Sequence, residues 1–469
     1  MTERDEPNEP NERDGGKPGV SPVTARLGLV AERDFGLLWG ARTVSHLGDY
    51  AFRIAFATYI ISETRSANAL AVATAVLVVP TLVFYLFGGA VSDRVASRRS
   101  VMIISDVARF VVTALLALAV VTTGSIPLLV GLALIVSVGE GFFRPASFVF
   151  MKEIVPRHRL VSANSAMSVS QQIGIIGGPL LGGALVGLAG PGLAFAFDAV
   201  TFLISGLLVL LIRHKGAAGA APGDPAATES AGAGRARGVL RDIGAGLTYI
   251  RGQSWLLVSM TVGPGANALF AGVLAVTVPL IMAPGGAPDA GFLGWYYAMQ
   301  AVGALTGAVV LSRLTIVRLG PPMFTILGLM GVSLALVGAL GRTPVTFVMA
   351  FGYGLGLHIF NTLYRTLLHE KVPDSMTGRV SSVSDLAFNG AMPLGQLAIG
   401  PMAVAFSAEK ATLGAGALAA LVCFAATLAP GIRALRRDEE RERPAEDSEA
   451  PQDSGHPDAK KDSAQLGKE

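Results

Sequence analysis

A single cysteine, Cys423, among 469 residues excludes an intramolecular disulfide and any cysteine metal site. Charge is scarce as well. Lys, Arg, Asp and Glu make up 15% of the chain, against about 25% in a soluble domain. With 51% apolar residues and a mean hydropathy of +0.54, that shortage excludes a water-soluble globule. There is no Walker A loop, which argues against ATP hydrolysis by this chain. No nucleophile–base constellation and no metal-ligand spacing is visible, so no enzyme is expected. The N-terminal MTERDEPNEPNERDGGKPG is acidic and polar, without the apolar core of a signal peptide.

What is present is a series of long apolar runs. Twelve of them reach the roughly 20 residues that a spanning helix needs. They cover 35–62, 70–91, 100–122, 126–151, 163–188 and 192–212, then 255–282, 291–312, 319–340, 345–368, 379–406 and 411–432. Residues 1–30 and 436–469 read as disordered cytoplasmic tails. Residues 214–245, rich in Ala, Gly and Pro, read as a cytoplasmic linker between six-helix bundles at 31–213 and 246–435. An even number of spans puts both termini on one side. The connections on that side carry fifteen Lys and Arg, among them Arg98, Arg157, Arg235 and Arg313, against Arg65, Arg342 and Lys410 on the other. The positive-inside rule then makes both termini cytoplasmic. Arg outnumbers Lys by 29 to 8, which points to a GC-rich bacterial genome and so to a bacterial inner membrane.

The halves resemble each other. KEIVPRHRLVSANSAMSVSQQIGIIGGPLLGG starts at Lys152 and HEKVPDSMTGRVSSVSDLAFNGAMPLGQLAIG at His369. Without gaps, Glu153 aligns with Glu370, Pro156 with Pro373, Gly178 with Gly395 and Gly183 with Gly400, a shift of 217 residues throughout. Six spans per half make the repeats parallel, which places a binding site between the halves near midplane.

Two motifs carry a family resemblance. GGAVSDRVASRR, between the second and third spans, has Gly89, Asp93 and Arg94 at fixed positions and Arg98 at the second basic one; Ala96 and Ser97 depart from the pattern. GIIGGPLLGG in the fifth span has Gly174, Gly178, Pro179, Gly182 and Gly183 at every fixed position. With these motifs the chain resembles the major facilitator superfamily, in particular its twelve-helix branch of drug and siderophore exporters. The resemblance covers about residues 30–435. It implies an all-α membrane protein of two parallel six-helix repeats, with the first motif acting as a cytoplasmic gate; Asp385, in the cytoplasmic third of the eleventh span, is a candidate partner for that loop. It associates the second motif with proton-driven export. Physically, glycines four apart allow close helix packing, and Pro179 removes a backbone donor and favours a bend.

The first span contains RTVSHLGDYAFR, in which Arg42, His46, Asp49 and Arg53 are four, three and four residues apart. At about 100° per residue they share one helical stripe. Each charge at the bilayer centre costs about 2.5–3.5 kcal/mol on insertion scales. A water-filled cavity relieves that cost, and the resemblance places spans 1, 4, 7 and 10 around one. Asp49 with Arg53, and Glu140 with Arg144, are then candidate proton-coupling pairs; the same pairs serve equally as static braces. Arg42, His46, Arg53, Arg144, Asn267, Gln300, His358 and Asn361 are candidate cavity residues. Asp106 and Arg109 read as an i,i+3 pair supporting the neighbouring loop. Asp198 reads as interfacial, and Trp295, Tyr296 and Tyr297 as an aromatic belt. The expected protein is a monomer in the bilayer that exports a small organic molecule by proton antiport, with no cofactor beyond the coupling proton and no nucleic-acid partner. An importer on the same fold and a non-transporting scramblase or scaffold are the alternatives.

Overall fold

The computed structural model describes residues 29–94, 97–213, 244–283, 289–313 and 319–435. The tails, most of the linker and the Ala96 end of the gate loop lie outside them. Twelve long helices follow one another: α1 (Arg33–Thr64), α2 (Ala67–Arg94), α3 (Arg98–Thr122), α4 (Ile126–Ile154), α5 (Leu160–Ala189) and α6 (Pro191–Leu211). The second half has α7 (Ser254–Gly272, running on to Ile281), α8 (Ala290–Leu311), α9 (Gly320–Leu340), α10 (Val345–Lys371), α11 (Asp374–Phe406) and α12 (Ala408–Ala426). Nine of these are long and apolar enough to cross a membrane. The three more polar ones, α1, α8 and α11, all line the cavities described below. Outward-facing side chains such as Ile104, Leu118, Leu188 and Leu421 are apolar and exposed, an outer surface suited to lipid rather than water.

Local chemistry sets the helix ends. Ser97 caps α3 by accepting the Ser100 N–H, and Asp289 caps α8 by accepting the Phe292 N–H. Pro191 opens α6, where its missing N–H costs nothing. One face of the bundle carries the basic connections and is called the basic face here; the opposite one is the far face. On the far face the chain reverses in tight turns, and every positive-φ residue among those described sits in one: Arg65, Gly124, Gly190, Gly341 and Ser407.

These turns repeat. Gly124 and Gly341 both have φ of 61°, while Gly190 and Ser407 have 80° and 87°. Both pairs are 217 residues apart (341 − 124 and 407 − 190), the offset of the aligned segments. Packing repeats as well. In the first half α1 packs on α5 and α6, α3 on α4 and α6, and α2 on α4. In the second, α7 packs on α11 and α12, α9 on α10 and α12, and α8 on α10, the same scheme six helices later.

The halves meet through α5 against α8 and α2 against α11. A Cβ added to Gly183 would lie 2.5 Å from the Ala290 carbonyl oxygen, and one on Gly294 would lie 2.7 Å from that of Pro179. Gly400, the repeat equivalent of Gly183, packs equally closely on Ala71 of α2. Both contacts lie in the far half of the bundle. Gly174, Gly178 and Gly182 face the other way, onto His46, Tyr50 and Ala51 of α1. The glycine motif of α5 thus presents one bare face to its own half and another to the opposite half, and van der Waals packing holds both.

Candidate functional site

Two adjoining cavities lie between the halves, of about 250 Å³ and about 200 Å³. The larger is mostly apolar. Its wall includes Tyr50, Phe56, Pro179, Tyr297, Gln300 and Gln396, from α1, α5, α8 and α11. The smaller is polar and is walled by His46, Asp49, Glu140, Arg144, Asp198 and Asn389. Arg53 and Tyr50 line both and mark the junction.

A turn of π-helix interrupts α7 at Val273–Thr277, on the apolar cavity. Within it the Val278 N–H donates to the Val273 carbonyl, a five-residue step. The Leu274 carbonyl would need residue 279 as donor, but that residue is Pro279, which has no N–H. The Tyr297 hydroxyl donates to Leu274 instead, at 2.5 Å. Tyr296 is fully buried and Tyr297 lines the cavity, so an aromatic belt describes Trp295 alone, which is 55% exposed.

The charges of the polar cavity come wholly from the first half. Arg109 of α3, 1% exposed, donates to Glu140 of α4 at 2.6 Å and also pairs with Asp106. Arg144 donates to the other oxygen of Glu140 at 2.7 Å. Ser205 of α6 donates to Asp106 at 2.7 Å. The Arg109 guanidinium is packed between the rings of Phe143 and Phe202, with centroids at 4.6 and 4.2 Å. The Asp106–Arg109 pair is therefore part of a deep, paired network and not a loop support. Its formal charges, Asp106, Arg109, Glu140 and Arg144, sum to zero.

Asp49 and Arg53 are not joined. Arg53 lies over the Tyr50 ring at 5.5 Å and makes no ion pair among the described residues. Asp49 likewise has no ion-pair partner among them. Arg42 stands 5.3 Å from the Phe143 ring, and His46 is buried where Gly174 crosses α1. Asp198, expected at the membrane surface, is instead 1% exposed in the wall of the polar cavity. Its stripe was readable: Asp198, Thr201 and Ser205 fall at i, i+3 and i+7, one polar face of α6 turned toward α1 and α3.

Other candidates fall elsewhere. Asn267 donates to the Phe388 carbonyl at 2.9 Å, tying α7 to α11. His358 and Asn361 lie on α10, outside both cavities. Arg98 pairs with Glu153 at the basic end of α4. The side chains of Gly89, Asp93 and Arg94 lie outside the described residues, as does any partner they would offer Asp385.

Comparison with known proteins agrees with this architecture. The family model of the major facilitator superfamily matches residues 38–396, and the chain belongs to that family. It is therefore a multi-pass membrane transporter and not an enzyme. It is 26% identical over 391 residues to the multidrug efflux pump Tap of Mycolicibacterium fortuitum, covering 81% of this chain and 92% of that protein. It is 25% identical over 386 residues to the uncharacterized MFS-type transporter YkuC of Bacillus subtilis, covering 80% and 86%. Among solved structures, a POT family transporter in complex with a thioalcohol-conjugated peptide superposes with a TM-score of 0.66 at 13% identity, covering 84% of this chain and 95% of that one. A bacterial homologue of the iron transporter ferroportin in an inward-facing state gives 0.63 at 17% identity, covering 85% and 100%. At these identities the solved structures speak for the fold alone.

Proposed function

We propose that this transporter exports a small organic molecule from a bacterial cell by alternating access, in exchange for protons. The observation that carries the reading is a carboxylate without an ion pair, Asp49, in a polar cavity that shares wall residues with an apolar one. An apolar space accepts the body of an organic cargo. A partly buried carboxylate binds and releases a proton as its access to water changes. Glu140 suits that task less. Both its arginines sit in its own half, on α3 and α4, so rocking of one half against the other leaves its ion pairs intact.

The named activity of the Tap relatives, multidrug efflux, favours export over import. The excess of Lys and Arg on the basic face favours a cytoplasmic location for both termini, in the bacterial inner membrane. The protein works as a monomer, with protons as its only cofactor-like requirement and the bilayer and a small molecule as its partners.

The test is uptake of tetracycline and ethidium into proteoliposomes. Antiport predicts accumulation when the lumen is acidic, and symport when the outside is. Asp49→Asn is expected to abolish the accumulation. Indifference of every probe to the gradient would refute proton coupling, and accumulation driven by external acid would refute antiport.

A further inference from the structure

We infer that Asp198 of α6 and Asp49 of α1 together form the proton-binding site, with one negative charge between them at rest. The inference rests on the antiport reading and extends it to a residue on another helix.

Three observations on Asp198 lead there. It is buried, yet its Oδ2 has no hydrogen-bond partner. Its Oδ1 receives only a long bond, 3.3 Å, from Thr201, whose hydroxyl also donates to the Asp198 carbonyl at 2.7 Å. It stands directly against Gly48: a Cβ there would collide with both Asp198 and Thr201. The bare α-carbon lets α6 approach α1 one residue before Asp49, and both carboxyls line the same cavity. A buried carboxylate oxygen without a donor is costly, whereas a proton on the group removes the charge.

The surrounding charges leave this pair unsatisfied. From α3, Arg109 is engaged by Asp106 and Glu140. From α4, Arg144 is engaged by Glu140. From α1, Arg42 faces Phe143, Arg53 faces Tyr50, and His46 packs on α5. The polar neighbours from α6 itself are Thr201 and Ser205, and Ser205 is bonded to Asp106. The α5 sequence brings no charged side chain. No cation is ion-paired with either Asp49 or Asp198 among the described residues, and the nearby charge of Arg109 is shared with Asp106 and Glu140, so two like charges in one cavity wall repel each other. Binding one proton takes the pair from two negative charges to one; releasing it to water on the other side restores both.

The repeat adds an independent argument. The offset of 217 places Ala415 opposite Asp198 and Ala266 opposite Asp49. The second half folds with the same helix pairing and alanine at both positions, so the fold does not require these carboxyls.

Infrared difference spectroscopy on the full-length protein in lipid, titrated between acid and alkaline buffer, reads the protonated carboxyl directly. The expected result is a titrating carboxyl band in the wild type that is lost in Asp198→Asn, shifted in midpoint in Asp49→Asn and retained in Glu140→Gln. Asp198→Glu, which keeps a carboxyl if the amide does not fold, is expected to keep a titrating band with a displaced midpoint. A band that titrates in Asp198→Asn as in the wild type, or is lost only in Glu140→Gln, would overturn the inference. In proteoliposomes Asp198→Asn is expected to lose gradient-driven tetracycline uptake while keeping tetracycline exchange. If the wild type shows the band but no gradient-driven uptake, the antiport reading fails and the proton site stands.

Discussion

Arg109 and Glu140 are joined at 2.6 Å between neighbouring helices of the first half, in a setting where neither meets bulk water freely. At the repeat-equivalent positions the second half carries Ile326 and Leu357, and Met323 in place of Asp106. Removing one member of a buried pair strands the other, at a cost of about 3–5 kcal/mol, whereas an apolar set of similar volume is often neutral. Arg109→Ile alone is therefore expected to lower the thermal unfolding temperature sharply. Asp106→Met, Arg109→Ile and Glu140→Leu together, which leave the 42% exposed Arg144 as the only charge of the network without its partner, are expected to recover most of the loss. A fluorescence-detected melting series in detergent reads both. A triple variant no more stable than the single one would contradict the account.

Tyr297→Phe removes the donor that stands in for the missing N–H of Pro279. The Leu274 carbonyl is then unpaired in a largely apolar wall, which costs about 1–3 kcal/mol. Melting is expected to fall accordingly. Restoring a backbone donor with Pro279→Ala on top of Tyr297→Phe is expected to recover part of the loss, by giving the carbonyl its own chain partner. Additive losses in the double variant would show that the two groups do not serve the same carbonyl.

Arg53 sits at the junction of the two cavities, free of any ion pair among the described residues. A cargo with a negative oxygen would find a donor there, and a charge-assisted hydrogen bond contributes about 1.5–3 kcal/mol. Arg53→Ala is expected to weaken binding of zwitterionic tetracycline by about tenfold or more and to leave that of cationic ethidium unchanged or tighter. Tryptophan-quenching or calorimetric titrations in detergent measure the contrast. Equal losses for both probes would assign Arg53 to the structure of the cavity rather than to its selectivity.

Much of the fold was legible in the sequence because lipid imposes a simple rule: backbone groups must be satisfied within each helix, so apolar length reports the spans. Nine of the twelve long helices follow from that; α1, α8 and α11 are more polar, and the 217-residue repeat was legible in aligned residues instead. The span limits erred where the chain continues as helix beyond the apolar run: α11 begins at Asp374 rather than at 379. The site was less legible because charge in a span says nothing of which neighbouring helix answers it. Spacing along α1 and α4 pointed equally to Asp49–Arg53 and Glu140–Arg144, and only the second pair forms. Arg109 reaches Glu140 from a different helix, which i,i+3 arithmetic within α3 does not anticipate. Asp198 was misplaced for a similar reason: depth along α6 suggested easy hydration, but Gly48 brings α1 over it.

The glycine motif makes the last prediction. Gly183 and Gly400 occupy equivalent positions and bring each half against a helix of the other, α8 and α2. At 2.5 Å from the Ala290 carbonyl oxygen and 2.7 Å from the Ala71 side chain, an added Cβ cannot be accommodated unless the helices part. Because both contacts lie toward the far face, Gly183→Val and Gly400→Val are expected to hold that face open by the same physical route. Gly178→Val acts elsewhere, between α5 and α1 of one half, and is expected to destabilise the bundle without opening the far face. The lone Cys423 is buried, so replacing it with Ser leaves a background for labelling. A cysteine placed at Leu293, on the apolar cavity, reports access. Its rate of modification by a membrane-impermeant maleimide added on the far side is expected to rise severalfold in the Gly183 and Gly400 variants and to stay unchanged with Gly178→Val. Equal rates in all three would mean that the α5–α8 and α2–α11 contacts do not close the cavity toward that face.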